Sequence, residues 1–182
     1  MRIISGIAKG TKLYTLEGET TRPTLDRVKE SIFNIIQNDV KDSVFLDLFS
    51  GSGAIGLEAA SRGARKVILC DKSKSAINII KKNIQKTHLE EKIVVYNNDF
   101  MEVLKNIADE KLDIIYLDPP YKTNYVQEAI EIILELDLIH NASKIIVETD
   151  DKKIAKEIKK QNIKIIDERK YGRAIILILT KT

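Results

Sequence analysis

The sequence predicts an α/β protein, a mostly parallel sheet with helices on both faces and an antiparallel hairpin at its C-terminal end. Two observations predict this. From about residue 43 to residue 160, short apolar runs alternate with helix-length amphipathic stretches, the pattern of repeated strand–helix–strand units. The tail then breaks the alternation: Ile163-Lys164-Ile165-Ile166-Asp167 and Ala174-Ile175-Ile176-Leu177-Ile178-Leu179 are separated only by a short turn containing Tyr171-Gly172-Arg173. No helix fits between them, so they pair antiparallel, whereas a dinucleotide-binding sheet would continue with another crossover.

Each element has its own signal. Residues 2–5 and 11–14 read as two short strands around Gly6 and Gly10, and residues 15–23 as a loop. Thr24 is a candidate cap for a helix running to about Gln37, with Leu25, Val28, Ile32, Ile35 and Ile36 on one face. Strands follow near 43–48, 66–70, 92–96, 112–117 and 143–148, and helices near 54–62, 73–86, 100–107, 124–135 and 150–160. There is no internal repeat or low-complexity tract. At 182 residues the chain is one domain by size.

Composition narrows the class further. With 43% hydrophobic and 31% charged residues, the chain is an ordinary globular one. Its longest apolar runs are strand-length, too short for a transmembrane helix, and Met1-Arg2-Ile3-Ile4-Ser5-Gly6 lacks the apolar segment of a secretory signal, so a cytoplasmic protein is expected. A single cysteine, Cys70, and two histidines, His88 and His140, give neither a disulfide nor a cysteine zinc cluster; both histidines read as surface residues near helix ends, and no metal is expected. Charge is unevenly spread. Residues 1–30 carry 6 basic and 4 acidic side chains, 60–92 carry 9 and 3, 151–182 carry 10 and 4, and the middle stretch 93–150 carries 4 and 12. Basic ends around an acidic middle suit a cationic ligand inside and a polyanion outside.

The chemistry resides in two motifs. After the strand Val44-Phe45-Leu46-Asp47-Leu48-Phe49 comes Ser50-Gly51-Ser52-Gly53-Ala54-Ile55-Gly56, with glycines at the spacing that lets a ligand approach a strand-to-helix turn. Asp47 precedes this loop. Asp71 ends the next strand, 20 residues after Gly51, the position of a ribose-diol acceptor. Asp99 ends a third strand within Asn97-Asn98-Asp99-Phe100. Acids at three neighbouring strand ends suit a ligand bearing an ammonium, a sulfonium and a ribose but no phosphates, which is S-adenosylmethionine. The second motif, Asp118-Pro119-Pro120-Tyr121, follows the apolar run Leu112–Leu117. Two prolines stiffen the turn and remove two backbone donors. A carboxylate, a Pro carbonyl and an aromatic face there suit a flat base with an exocyclic amino group, although Asp and Pro also form plain turns. The motifs together with the reversed tail point to a Rossmann-like class I methyltransferase.

With these residues in view, nearly the whole chain resembles the bacterial 16S ribosomal RNA guanine-N2 methyltransferase family. The resemblance rests on Met1–Gly6 with Lys9-Gly10-Thr11-Lys12-Leu13, on the block Thr21-Arg22-Pro23-Thr24-Leu25-Asp26-Arg27-Val28-Lys29-Glu30, and on the two motifs and the Tyr171-Gly172 turn. The Ile7-Ala8-Lys9 segment is less basic than that family's pattern, and Arg173-Ala174 stands where a small polar pair is usual. The resemblance implies a seven-stranded sheet with its last strand antiparallel, and one guanine of small-subunit ribosomal RNA, methylated during assembly, as substrate. It implies that Asp47 and the backbone of Phe49, Ser50, Gly51 and Gly53 hold the methionine part of the cofactor, that Asp71 accepts from the ribose, and that Asn98, Asp99 and Phe100 border the adenine. Asp118, Pro119 and Tyr121 become the catalytic residues. Arg2, Lys9, Lys12, Arg22 and Arg27 are candidate phosphate contacts, which makes residues 1–23 an RNA-contacting hairpin or loop extension of the single domain 1–182. The competing expectations are an adenine-N6 DNA methyltransferase, a protein-glutamine methyltransferase, a non-catalytic ribosome-assembly factor and, least of all, an NAD-dependent oxidoreductase.

Overall fold

The computed structural model describes residues 1–16, 23–120, 123–158 and 162–182. Arg22 and Tyr121, both singled out above, lie outside the described residues. In chain order the elements are α1 (Pro23–Ile35), β1 (Val44–Asp47), α2 (Ala54–Ser61), β2 (Lys66–Cys70), α3 (Lys74–Thr87), β3 (Ile93–Tyr96), α4 (Phe100–Asn106), β4 (Leu112–Leu117), α5 (Tyr125–Glu135), β5 (Ile139–Thr149), α6 (Ile154–Ile158), β6 (Ile163–Tyr171) and β7 (Ala174–Lys181). The seven strands form one sheet in the order β3-β2-β1-β4-β5-β7-β6. The first five run parallel, and β7 is antiparallel to both β5 and β6.

Because strand side chains alternate between faces, the sheet divides the core in two. Phe45, Leu69, Ile114, Tyr116, Ile146 and Ile178 face one side with Ile32, Phe33, Leu57 and Ile80 of α1, α2 and α3. Leu46, Ile68, Ile115, Leu117, Val147 and Leu177 face the other with Leu104, Ile130 and Ile154 of α4, α5 and α6. Both faces of the parallel strands are thus covered, which explains why those strands read as unbroken apolar runs.

Several boundaries differ from the sequence expectation. Residues 2–5 and 11–14 do not form strands; they share a single antiparallel bridge, Arg2 to Lys12. Backbone hydrogen bonds from Ile3 N to Thr11 O, Gly10 N to Ile3 O and Leu13 N to Met1 O join them, and side chains of α2 and α3 hold Ile4, Ser5 and Tyr14. Gly6, with φ +84, sits so close to α2 that a Cβ would lie 1.9 Å from the Ser61 carbonyl oxygen. β5 begins four residues early, at Ile139, because the Ser143 hydroxyl donates to Leu112 O at 2.7 Å and accepts from His140 N at 2.9 Å across a register shift in β4. His140 is therefore a strand residue, 2.8 Å from Asp113, and not one near a helix end. α6 begins at Ile154, four residues later than expected, because Asp151 accepts from Lys153 N at 2.8 Å and holds a turn ahead of the helix.

Gly56 fixes how α2 lies on the sheet. A Cβ there would meet Leu69 Cδ2 at 2.2 Å and Val67 Cγ1 at 3.0 Å, and both of those residues are fully buried. Alanine raises helix propensity by about 1 kcal/mol, but the overlap outweighs it. Gly56→Ala is expected to destabilise the protein by about 1–3 kcal/mol, seen as a lower urea midpoint at unchanged slope; an unchanged or higher midpoint contradicts this packing.

Candidate active site

A cavity of about 740 Å³ opens at the C-terminal ends of β1, β2 and β4, where ligands bind in open α/β sheets. The glycine loop forms its floor and is stitched to the end of β2. Ser50 N donates to Cys70 O at 2.9 Å, and its hydroxyl donates to Asp47 O at 2.7 Å while accepting from Cys70 N at 3.0 Å. Gly51 N donates to Asp71 Oδ2 at 2.9 Å, and the other Asp71 oxygen accepts from Ser73 N at 2.8 Å. Asp71 thus anchors the loop as well as lining the cavity, a role its spacing did not show. Gly53 turns the chain into α2 with φ +79 but does not itself line the cavity; Ser52, Ala54 and Ile55 do.

Asp47 is the distinctive group of the wall. It is 1% exposed. Oδ2 accepts from Gly56 N at 3.2 Å, while Oδ1 is buried with no hydrogen-bond partner among the described residues. Burial pushes its pKa up to about 7, against the Gly56 N–H that favours the charged form. A buried acceptor without a donor is costly, and a cationic donor such as an ammonium is what this wall lacks. The residues present therefore fit the methionine end of S-adenosylmethionine. Neighbouring Cys70 has its thiol pushed up to about 12 by burial and then by the charges of Asp71, Asp47 and Asp99, which rules out a thiolate nucleophile near neutrality.

Opposite the loop, Asn98, Asp99 and Phe100 line the cavity. Asp99 also caps α4, accepting from Met101 N at 3.0 Å. Phe100 belongs to an aromatic cluster that the motifs did not reveal: Phe49 and Phe100 have centroids 5.3 Å apart, and Tyr125 lies 5.0 Å from Phe100 and stacks on Phe49 at 6.2 Å. Each such pair contributes about 0.5–1.5 kcal/mol beyond burial, and together they fix the starts of α4 and α5 against the glycine loop. Asp118, Pro119 and Pro120 complete the wall beyond β4, with Glu148 from the end of β5 and Lys29 from α1.

The N-terminal segment is tied to this site through Glu58, a fully buried residue of α2. Its carboxylate accepts from Ile4 N at 2.8 Å and Ser5 N at 3.0 Å, and pairs with Lys29 at 3.2 Å and Arg62 at 2.7 Å. Lys29 also donates to Arg2 O; burial lowers its pKa, and Glu58 partly offsets this. The buried Asn83 of α3 accepts from Tyr14 N at 2.7 Å and donates to Tyr14 O and Ser52 O, both at 2.9 Å. Charged and polar residues on otherwise apolar helix faces were the available sequence signal for Glu58 and Asn83. Of the candidate phosphate contacts, Arg2, Lys9, Lys12 and Arg27 are exposed. Arg2 and Lys9 line a second concavity of about 440 Å³ with Arg62.

A seven-stranded sheet with a reversed β7, carrying a glycine loop and an Asp-Pro-Pro turn on one cavity, is the architecture of a Rossmann-like methyltransferase. Residues 1–180 match the family described as Conserved hypothetical protein 95, and the chain belongs to that family, which is of the ribosomal RNA small subunit methyltransferase D type. It is 38% identical over 155 residues to the ribosomal RNA small subunit methyltransferase D of Haemophilus influenzae, spanning 84% of this chain and 80% of that one. It is 32% identical over 150 residues to the protein of the same name from Escherichia coli, spanning 82% and 75%. The crystal structure of HI0767 from Haemophilus influenzae superposes with a TM-score of 0.82 at 33% identity, covering 100% of this chain and 98% of that one.

Two outcomes follow from the buried carboxylates. Glu58→Ala leaves Lys29 uncompensated and is expected to cost about 3–5 kcal/mol, with the Ile4 and Ser5 amides losing hydrogen-exchange protection; retained protection there would show that other contacts hold the segment. For Asp47, the folded-state pKa is raised, so the folded protein holds this proton more tightly than the unfolded chain. Below about pH 3 the carboxyl is protonated in both states; as the pH rises to about 7 only the unfolded chain ionises, and stability falls. Asp47→Asn removes this loss, so its stability advantage over the parent protein grows from pH 4 to about 7 and then levels. A pH-independent difference in urea unfolding would contradict the burial argument.

Proposed function

We propose that this chain transfers a methyl group from S-adenosylmethionine to the exocyclic N2 amine of a guanine in 16S ribosomal RNA, acting on the RNA or on an assembling small subunit in the cytoplasm. The observation that carries the reading is one cavity holding both the Asp47 carboxylate, whose Oδ1 has no partner among the described residues, and the Asp118-Pro119 turn. The relatives' names support the RNA substrate.

Asp47 and the loop from Phe49 to Gly53 would hold the methionine part, Asp71 the ribose, and Asn98, Asp99 and Phe100 the adenine. The bound cofactor supplies an already activated methyl on a sulfonium, so the protein contributes mainly position. The target guanine leaves its stack to reach the cavity, as bases do in enzymes that act on them. Its amine is a poor nucleophile because the lone pair is delocalised into the ring. The Asp118 carboxylate and Pro119 carbonyl accept from the two N2 hydrogens and draw the nitrogen towards a tetrahedral geometry. The lone pair would then face the methyl that the cofactor would supply, and Asp118 would take the proton that the nitrogen gives up on methylation. Tyr121, next after the prolines, is the candidate stacking partner for the base. Arg2, Lys9, Lys12, Arg22 and Arg27 serve as phosphate contacts.

The test is transfer of labelled methyl to unmodified small subunits, naked 16S RNA and duplex DNA in parallel. Label recovered as N2-methylguanine from RNA is expected; label only in DNA adenine would transfer the assignment to an adenine-N6 methyltransferase, and bound cofactor without transfer would favour an assembly factor. Asp118→Ala is expected to lower kcat by at least about 100-fold, the scale of losing a positioned polar group, while S-adenosylmethionine affinity stays within about twofold because Asp47 and the loop are untouched. Wild-type turnover in that variant would refute the role of Asp118.

A further inference from the structure

Glu148 is a cavity carboxylate that methyl transfer, as described, leaves without a task. It stands near the end of β5 and lines the same cavity as Asp118. β4 and β5 run parallel, with Tyr116 beside Ile146 and Leu117 beside Val147. One further step along both strands brings Asp118 level with Glu148. By the period of two, both belong to the face of Tyr116 and Ile146, the face packed by α1, α2 and α3. The Tyr116 hydroxyl donates to Glu148 Oε2 and so fixes the carboxylate's rotamer. Burial raises the pKa of Tyr116, and the charges of Glu148 and then Asp118 raise it further. Burial raises the pKa of Glu148, and the Tyr116 hydroxyl, which favours the charged form, offsets this only in part. Together Asp118 and Glu148 present two acceptors at one end of the cavity, with Tyr116 committed as a donor between the strands.

We infer that Glu148 reads the N1–H of the target guanine, so that Asp118 and Glu148 accept from its neighbouring N2–H and N1–H donors. This rests on the guanine-N2 reading above and adds to it the means by which the base is chosen. Guanine carries these two donors side by side on its Watson–Crick edge. Adenine presents an acceptor at N1, and a carboxylate there would face a lone pair. A site built to accept from a donor rejects an analogue lacking it far more strongly than an apolar pocket rejects a changed shape. Glu148 is therefore a recognition residue for the base, and Tyr116 positions it.

The experiment first locates the methylated guanine by mass spectrometry of digested RNA. That nucleotide is then rebuilt by ligation as 2-aminopurine, which keeps the 2-amino group but lacks the N1 proton. The wild-type enzyme is expected to lose at least about 100-fold in kcat/KM on this RNA, with RNA affinity little changed. In Glu148→Gln the amide can turn either its carbonyl or its NH2 towards N1, so the ratio between guanine and 2-aminopurine is expected to fall below about 10-fold. S-adenosylmethionine affinity in that variant is expected to match the wild type. Wild-type enzyme that methylates the 2-aminopurine RNA nearly as fast as the guanine RNA overturns the inference, and does so even if Glu148→Gln fails to fold. A folded Glu148→Gln enzyme that keeps the full ratio also overturns it. Label on adenine, or none on RNA, instead marks failure of the guanine-N2 reading on which the inference rests.

Discussion

The molecule is organised around the place where the strand order reverses. From β1 the chain moves outward to β2 and β3 on one side, and later returns to build β4 and β5 on the other. Connections therefore diverge above the end of β1, and a crevice opens that no crossover helix covers. Asp47 is the last residue of β1, Asp71 follows β2, and Asp118 follows β4. Three carboxylates distant in sequence meet on one cavity because the parallel register ends their strands within about a residue of one another. The glycine loop can lie flat there only because Ser50 and Asp71 fasten it to β2.

Buried carboxylates in this chain fall into two kinds, separated by how fully they are satisfied. Glu58 receives two backbone N–H groups and two cations; it is saturated and holds the N-terminal segment against α2. Asp47 receives one backbone N–H and keeps a second oxygen without a partner among the described residues. Desolvation without compensation is tolerated where a ligand completes the site. Buried Asn83 sits with Glu58, with its amide bonded to Tyr14 and Ser52. The N-terminal segment is consequently part of the catalytic body, and its exposed Arg2, Lys9 and Lys12 are carried at a fixed place relative to the glycine loop.

Local pattern made much of this legible. The alternation from β1 to β5, the reversed hairpin of β6 and β7 and the helix faces follow from periods of two and 3.6, which are properties of neighbouring residues. Most strand ends lie within a residue or two of expectation. The misses share a cause. The segments at 2–5 and 11–14 have strand-like composition, yet beside the backbone bonds that join them the amides of Ile4, Ser5, Ala8 and Tyr14 are claimed by Glu58, Ser61 and Asn83, more than fifty residues away in sequence. β5 starts early because Ser143 bridges back to Leu112.

The site divides the same way. The sequence alone determined the α/β class, the glycine turn, the acids at the strand ends and the Asp-Pro-Pro turn, because each is a short motif whose geometry is set by its own φ preferences and its place after an apolar strand. Only the tertiary structure decided that Asp47 is buried and half satisfied, that Asp71 anchors the loop, that Phe49, Phe100 and Tyr125 pack together, and that Tyr116 and Glu148 share the cavity with Asp118. Desolvation and pairing are relations between chain segments brought together by the sheet order. A linear pattern records which residues are present, but not which of them lose water together.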